Sequence, residues 1–153
     1  MPRQAGSCSS CQTLGVMVPP PIQLLRSIEY FRDDRPWRVH REVVPGWQVV
    51  EQAIRRMENY CFPIVQLCLS DDEEDESIFN IVGGSGRFAM FQLMGTWQYA
   101  DANGSDSLVH LWESDQGYEC KERNITTLER TLQVTKQFFE FGNYAVLPQS
   151  NDA

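Results

Sequence analysis

Six residues near the middle of the chain have the types and spacing of a phosphate-binding loop. Gly84-Ser85-Gly86-Arg87-Phe88-Ala89 fits G-x-G-x-x-A. In that fingerprint, glycines turn the chain after a strand and bring backbone N–H groups to a pyrophosphate at a helix N-terminus. The chemistry requires a helix to start at the glycines. The segment that follows, RFAMFQLM, is β-prone, lacks a polar face and runs into Gly95. The stretch therefore reads as a turn between two strands, in which Gly83, Gly84 and Gly86 supply positive φ and a close backbone approach.

Other reactive side chains are sparse. Cys8-Ser9-Ser10-Cys11 is a lone C-x-x-C in a Ser/Gly-rich segment. A redox pair would need a helix N-terminus to lower one thiol pKa, and structural zinc would need two further ligands at comparable spacing. The cysteine total is five, and the chain start shows no signal peptide, so free thiols are expected. His40 and His110 are the two histidines, each in a strand-like segment without a metal-ligand pattern. Catalysis or metal binding at either would need distant residues to converge there. With no nucleophile-elbow sequence either, no catalytic residue, cofactor or metal is expected.

The densest charge feature is Asp71-Asp72-Glu73-Glu74-Asp75-Glu76. Consecutive carboxylates repel one another and stay solvated, and they lack the spacing and turn glycine of a calcium loop. The run reads either as a solvated connector or as bait that steers a basic protein partner toward the chain. Trp97 and Tyr99 share one face of an extended segment, where they serve as core or as interface anchors.

These residues must be positioned by a small set of elements. Residues 1–21 form a flexible leader ending in Pro19-Pro20-Pro21, residues 22–148 a single domain and residues 149–153 a tail. IQLLRSIEYF fits helix or strand, and WRVHREVV alternates like a strand. In PGWQVVEQAIRRMENY, Val49, Val50, Ala53, Ile54 and Met57 recur at helical spacing, and Pro63 bars continuation. PIVQLCLS, IFNIV, RFAMFQLM, LVHLWES and YECKERNI then follow as strands joined by short loops, which makes them antiparallel. The terminal helix shows a capping box at Thr126-x-x-Glu129 and a stripe of Leu128, Leu132, Thr135 and Phe139 beside Phe138. Gly142 stands where a left-handed C-cap is wanted. The fold class is thus α+β: an antiparallel sheet of about five meander strands with an amphipathic helix before and after it.

Bulk composition narrows the function. The chain has 153 residues, 42% of them hydrophobic, and a formal net charge of −8. That charge disfavours direct nucleic-acid binding, which needs a basic face to displace counterions. No apolar run approaches the roughly 18 residues of a membrane helix, so a cytoplasmic protein without membrane contact is expected.

Gly83-Gly84 with Gly86 after a strand, Trp97-x-Tyr99-x-Asp101, Gly117 in a turn, and Phe138-Phe139 before Gly142 follow one another in order. Over about residues 37–147 this arrangement resembles a family of bacterial polymorphic-toxin immunity proteins, the first-numbered Imm family. Tyr144 and Leu147 stand where that family tends to place a tryptophan. The resemblance implies a non-enzymatic α+β domain that binds and neutralises a cognate toxin, often a nuclease or deaminase, by blocking its active site. The residues expected to meet the toxin are Asp71, Asp72, Glu73, Glu74, Asp75, Glu76, Trp97 and Tyr99, whereas Gly83, Gly84, Gly86, Gly117 and Gly142 are structural. The alternative is a small-ligand-binding or regulatory module with a pocket between sheet and helices. An exposed edge strand would also allow a homodimer.

Overall fold

The computed structural model describes residues 20–31, 37–71, 77–112 and 117–148. Along them run β1 (Leu24–Tyr30), β2 (Trp37–Val43), α1 (Trp47–Arg56), β3 (Ile64–Cys68), β4 (Phe79–Gly84), β5 (Arg87–Gln92), β6 (Leu108–Leu111), β7 (Tyr118–Lys121) and α2 (Leu128–Phe141). Five strands form one antiparallel sheet in the order β2-β1-β3-β4-β5, and β6 and β7 pair separately. The fold is α+β. Among the described residues, no helix is long and apolar enough to cross a membrane.

The sheet has a different membership from the five-strand run that follows the first helix in the sequence. IQLLRSIEYF supplies β1, which pairs with β2 on one side and with β3 on the other. Helix α1 therefore carries the chain from the edge strand β2, past β1, to β3. Strands β6 and β7 leave the sheet because irregular backbone already occupies the β5 edge. There Gln92 N donates to Trp97 O and Tyr99 N to Met90 O, both at 2.9 Å, while Phe88 and Thr126 exchange backbone bonds. The β6–β7 hairpin packs on a face instead.

Strand register assigns the two faces. Leu25, Leu67 and Phe79 form one row across β1, β3 and β4, and Val65, Ile81 and Met90 another across β3, β4 and β5. These rows pack against Val50 and Ile54 of α1 and Val134 and Phe138 of α2. The opposite face carries Ile64, Val82 and Ala89, which pack with Leu111 and Cys120 of the hairpin. Because both faces are covered, every residue of β3 and β4 is buried, and the apolar/polar alternation of a half-exposed strand is absent there.

Local chemistry explains the helix ends. In α1, Val50, Ala53 and Ile54 are buried. Val49, expected on the apolar stripe, is 38% exposed. The helix stops at Arg56, short of Pro63, because Glu58 and Phe62 bridge to each other and the Glu58 carboxylate accepts from Cys61 N at 2.6 Å. In α2 the N-cap is Thr127, one residue later than the expected box, and its hydroxyl accepts from Arg130 N at 3.2 Å. Thr126 cannot serve, since its backbone is bonded to Phe88 at the sheet edge. The buried stripe consists of Thr131, Val134, Thr135 and Phe138, with Leu128, Leu132 and Phe139 only partly buried against the core. Gly142 closes the helix in the left-handed conformation, φ 64° and ψ 33°, with its N–H on Phe138 O.

The glycine stretch is the β4–β5 hairpin. Gly84 pairs with Arg87, and the two loop residues Ser85 and Gly86 have φ of 56° and 88°, the double positive φ that matches strand twist in a two-residue turn. A strand follows the glycines, so no helix N-terminus faces the loop.

Candidate functional site

The acidic run lies in sequence between β3 and β4. Asp71 is exposed, and Asp72, Glu73, Glu74, Asp75 and Glu76 lie outside the described residues. Register places the run's two anchors at one end of the sheet, where Val43, Leu24 and Cys68 align, as do Leu67, Phe79 and Gln92. The C-terminus of α2 is fixed at the same end. Gly142 packs so closely on Pro21 that a Cβ would lie 2.5 Å from it, and Tyr144 Oη donates to Ser77 O at 2.8 Å.

Exposed apolar side chains concentrate at this end. Val44 and Val49, at the β2–α1 junction, are 47% and 38% exposed; Met94, just after β5, is 78% exposed; Phe141 and Val146 are 61% and 40% exposed. Val43, the last residue of β2 at the same end, is exposed as well, and among the described residues the remaining large exposed hydrophobics are Trp37 on β2 and Leu108 on β6. Single exposed hydrophobics are ordinary. Several drawn from separate loops to one end, where Asp71 is exposed too, have the apolar part of the anatomy of a docking surface.

Trp97 and Tyr99 are placed elsewhere. Both are in the helix-side core, 7% and 9% exposed. The Trp97 ring lies 5.8 Å from Phe79 and 5.7 Å from Tyr144, and its Nε1 donates to Pro148 O at 2.8 Å. Arg130 stands over the Tyr99 ring at 5.8 Å. The pair stabilises the core beneath the surface and is not brought together with Asp71. Asp101 accepts from Asn103 N at 2.9 Å and shapes the turn that follows. Gly117 has φ 75°, and a Cβ there would meet the His110 ring at 2.1 Å.

A concavity of about 410 Å³ lies between α1 and the β1–β2 hairpin, with Leu25, Ser27, His40, Glu42, Gln52 and Arg56 among its lining. Ser27 and His40 are directly opposed across the strands, and His40 Nε2 lies 2.8 Å from Glu29 Oε1. The residue types are those of a serine–histidine–carboxylate set, and the sequence reading missed this convergence. The only signal was Ser27 and Glu29 at i, i+2, facing a histidine across an unassigned hairpin. The connectivity differs from that of a nucleophile and its base. Ser27 Oγ accepts from Arg56 Nη2 at 3.2 Å, and among the described residues no hydrogen bond joins Ser27 to His40. An activated hydroxyl needs that bond.

Cys61, Cys68 and Cys120 are free thiols, as expected, while Cys8 and Cys11 lie outside the described residues. Burial pushes the Cys120 thiol up to about 11, partly opposed by the Arg87 guanidinium. That makes it a packing residue, not a nucleophile. Among the described residues no group of three His, Cys, Asp or Glu could hold a metal ion. No protein-family model matches the sequence, and no curated protein matches it.

Proposed function

We propose that the chain is a non-enzymatic binding protein for a basic protein partner, and that this partner is a toxin neutralised by occlusion of its active site. The observation that carries the proposal is the sheet end where Met94, Phe141, Val44, Val49 and Val146 are exposed beside the connector that begins at Asp71. Apolar contacts supply affinity once water is excluded, and carboxylates supply attraction to a basic groove such as a nuclease or deaminase needs for its substrate. The resemblance to immunity proteins supports the same reading. The residues that carry it are scaffold residues here: Gly84 and Gly86 in the hairpin, Trp97 and Phe138 in the core, and Gly142 at the α2 cap.

Coexpression with the toxin encoded by a neighbouring gene tests the proposal. The expected result is a stable complex and a protected cell, with Met94→Asp and Phe141→Asp weakening both while the fold persists. No complex and no protection with any neighbouring toxin would overturn it.

A second reading, a small-ligand or regulatory module, draws on the groove between α1 and the β1–β2 hairpin. Its lining is mostly polar, unlike the apolar wall of a typical ligand pocket, which places it behind the first.

A further inference from the structure

We propose that β2 is a homodimerisation edge, where a second copy of the chain adds its own β2 in antiparallel register about a two-fold axis at His40. The sheet order leaves β2 at one edge. The other edge is already occupied by Gln98 and Thr126, which bridge to Phe91 and Phe88 of β5. Val44 N donates to Gln23 O at 3.0 Å. Alternation along the strand then turns the backbone groups of 42, 40 and 38 toward β1 and those of Trp37, Val39 and Val43 outward.

The side chains of this strand are self-complementary. With the axis at His40, Arg38 faces Glu42 of the partner subunit, and Trp37 faces Val43 of the partner subunit. Trp37 and Val43 are 60% and 72% exposed in the single chain, and the pairing covers both with apolar contact. Glu42 has no ion-pair partner among the described residues. Opposite charges placed directly across a strand pair stabilise it, and like charges destabilise it.

Charge also selects this register over its neighbours. Backbone parity permits only shifts that keep outward-facing residues opposed. One such shift sets Arg41 against Arg41 of the partner subunit; the other sets Arg38 against His40 of the partner subunit. Charged residues on an edge strand ordinarily repel another copy, but in the His40 register they attract it. The result is one continuous antiparallel sheet, closed by two-fold symmetry.

Light scattering coupled to gel filtration of the full chain, under reducing conditions, reads the outcome. The wild type is expected to be a dimer. Arg38→Glu and Glu42→Arg should each weaken the dimer by about tenfold or more, since each reversal creates two like-charge pairs. The double variant R38E/E42R should restore it. Val39→Pro removes an outward N–H and should give a folded monomer, with circular dichroism confirming the fold. A wild type that is monomeric at every soluble concentration overturns the proposal. So does a dimer that the charge reversals and Val39→Pro leave unchanged. Toxin binding is scored separately, because the Met94→Asp and Phe141→Asp substitutions leave β2 untouched.

Discussion

A Cβ on Gly84 would lie 2.6 Å from the backbone nitrogen of Glu58. Gly84 also holds φ +131°, so two independent constraints demand glycine at one position. The β4–β5 hairpin is thereby seated against the turn that ends α1. Gly84→Ala is expected to destabilise the fold by about 2–4 kcal/mol, from backbone strain and displaced main chain together. Gly46→Ala, where nothing lies within 4 Å, should change stability by less than about 0.5 kcal/mol. Urea denaturation of the two variants makes the comparison, and equal effects would show that the close approach is not limiting.

This glycine also shows what the sequence could and could not reveal. The hairpin was legible because its determinants are local: consecutive glycines between two β-prone runs. The same holds for Gly142 at its cap and for Val50, Ala53 and Ile54 on α1. The strand order was not legible, since β1 meets β3 only after α1 has crossed over it. Leu24 and Leu25 are adjacent and both buried, so β1 lacks the alternation that marks a half-exposed strand. Strand β6 was expected to extend the sheet, but backbone around Trp97 and Tyr99 fills that edge without strand periodicity. The proposed docking surface draws on the β2–α1 junction, the loop after β5 and the C-terminus of α2, and no short window of sequence contains it. Of its expected members, Asp71 is exposed there, while Trp97 and Tyr99 are in the core.

Phe79 and Phe138 tie the sheet to α2, stacked at 4.8 Å with 20° between their planes, and neither is exposed. Phe138→Ala should cost about 3–5 kcal/mol, from lost burial and an incompletely filled cavity. Phe141→Ala, on the same helix but largely exposed, should stay within about 0.5 kcal/mol. A double-mutant cycle with Phe79→Ala isolates the stacking, expected at about 0.5–1.5 kcal/mol beyond burial. Zero coupling would reduce the pair to neighbouring apolar volume.

Alkaline pH should loosen the β6–β7 face. Burial pushes the Tyr118 phenol from 10.0 up to about 12, with the Cys120 thiolate adding to the rise and the bond from Gln98 opposing it. The Cys120 thiol is likewise raised from 9.0 to about 11. For both acids the folded chain holds its proton more tightly than the unfolded chain. Their stabilising contribution is therefore complete below pH 9 and is lost as pH climbs through 11 and 12. The urea midpoint should fall across that window. The Tyr118 ring stacks on Phe91 at 4.8 Å, so Tyr118→Phe keeps the stack while removing one titration, and should flatten the fall. An unaltered pH profile in that variant would assign the loss to other groups.

Replacing Asp71, Asp72, Glu73, Glu74, Asp75 and Glu76 with Asn and Gln separates attraction from contact. The change removes most of the formal charge of −8 without touching the apolar residues at the sheet end. If the connector steers a basic partner, the association rate should fall about tenfold or more at low ionic strength. The difference should shrink near 0.1 M salt, where screening acts over about 10 Å. Dissociation, which the proposed function assigns to apolar contacts around Met94 and Phe141, should change little. Fold stability should hold or rise slightly, because neighbouring carboxylates no longer repel one another. Stopped-flow association across a salt series gives the answer. A rate and salt slope equal to wild type would make the run a solvated connector and leave the exposed apolar residues as the whole basis of recognition.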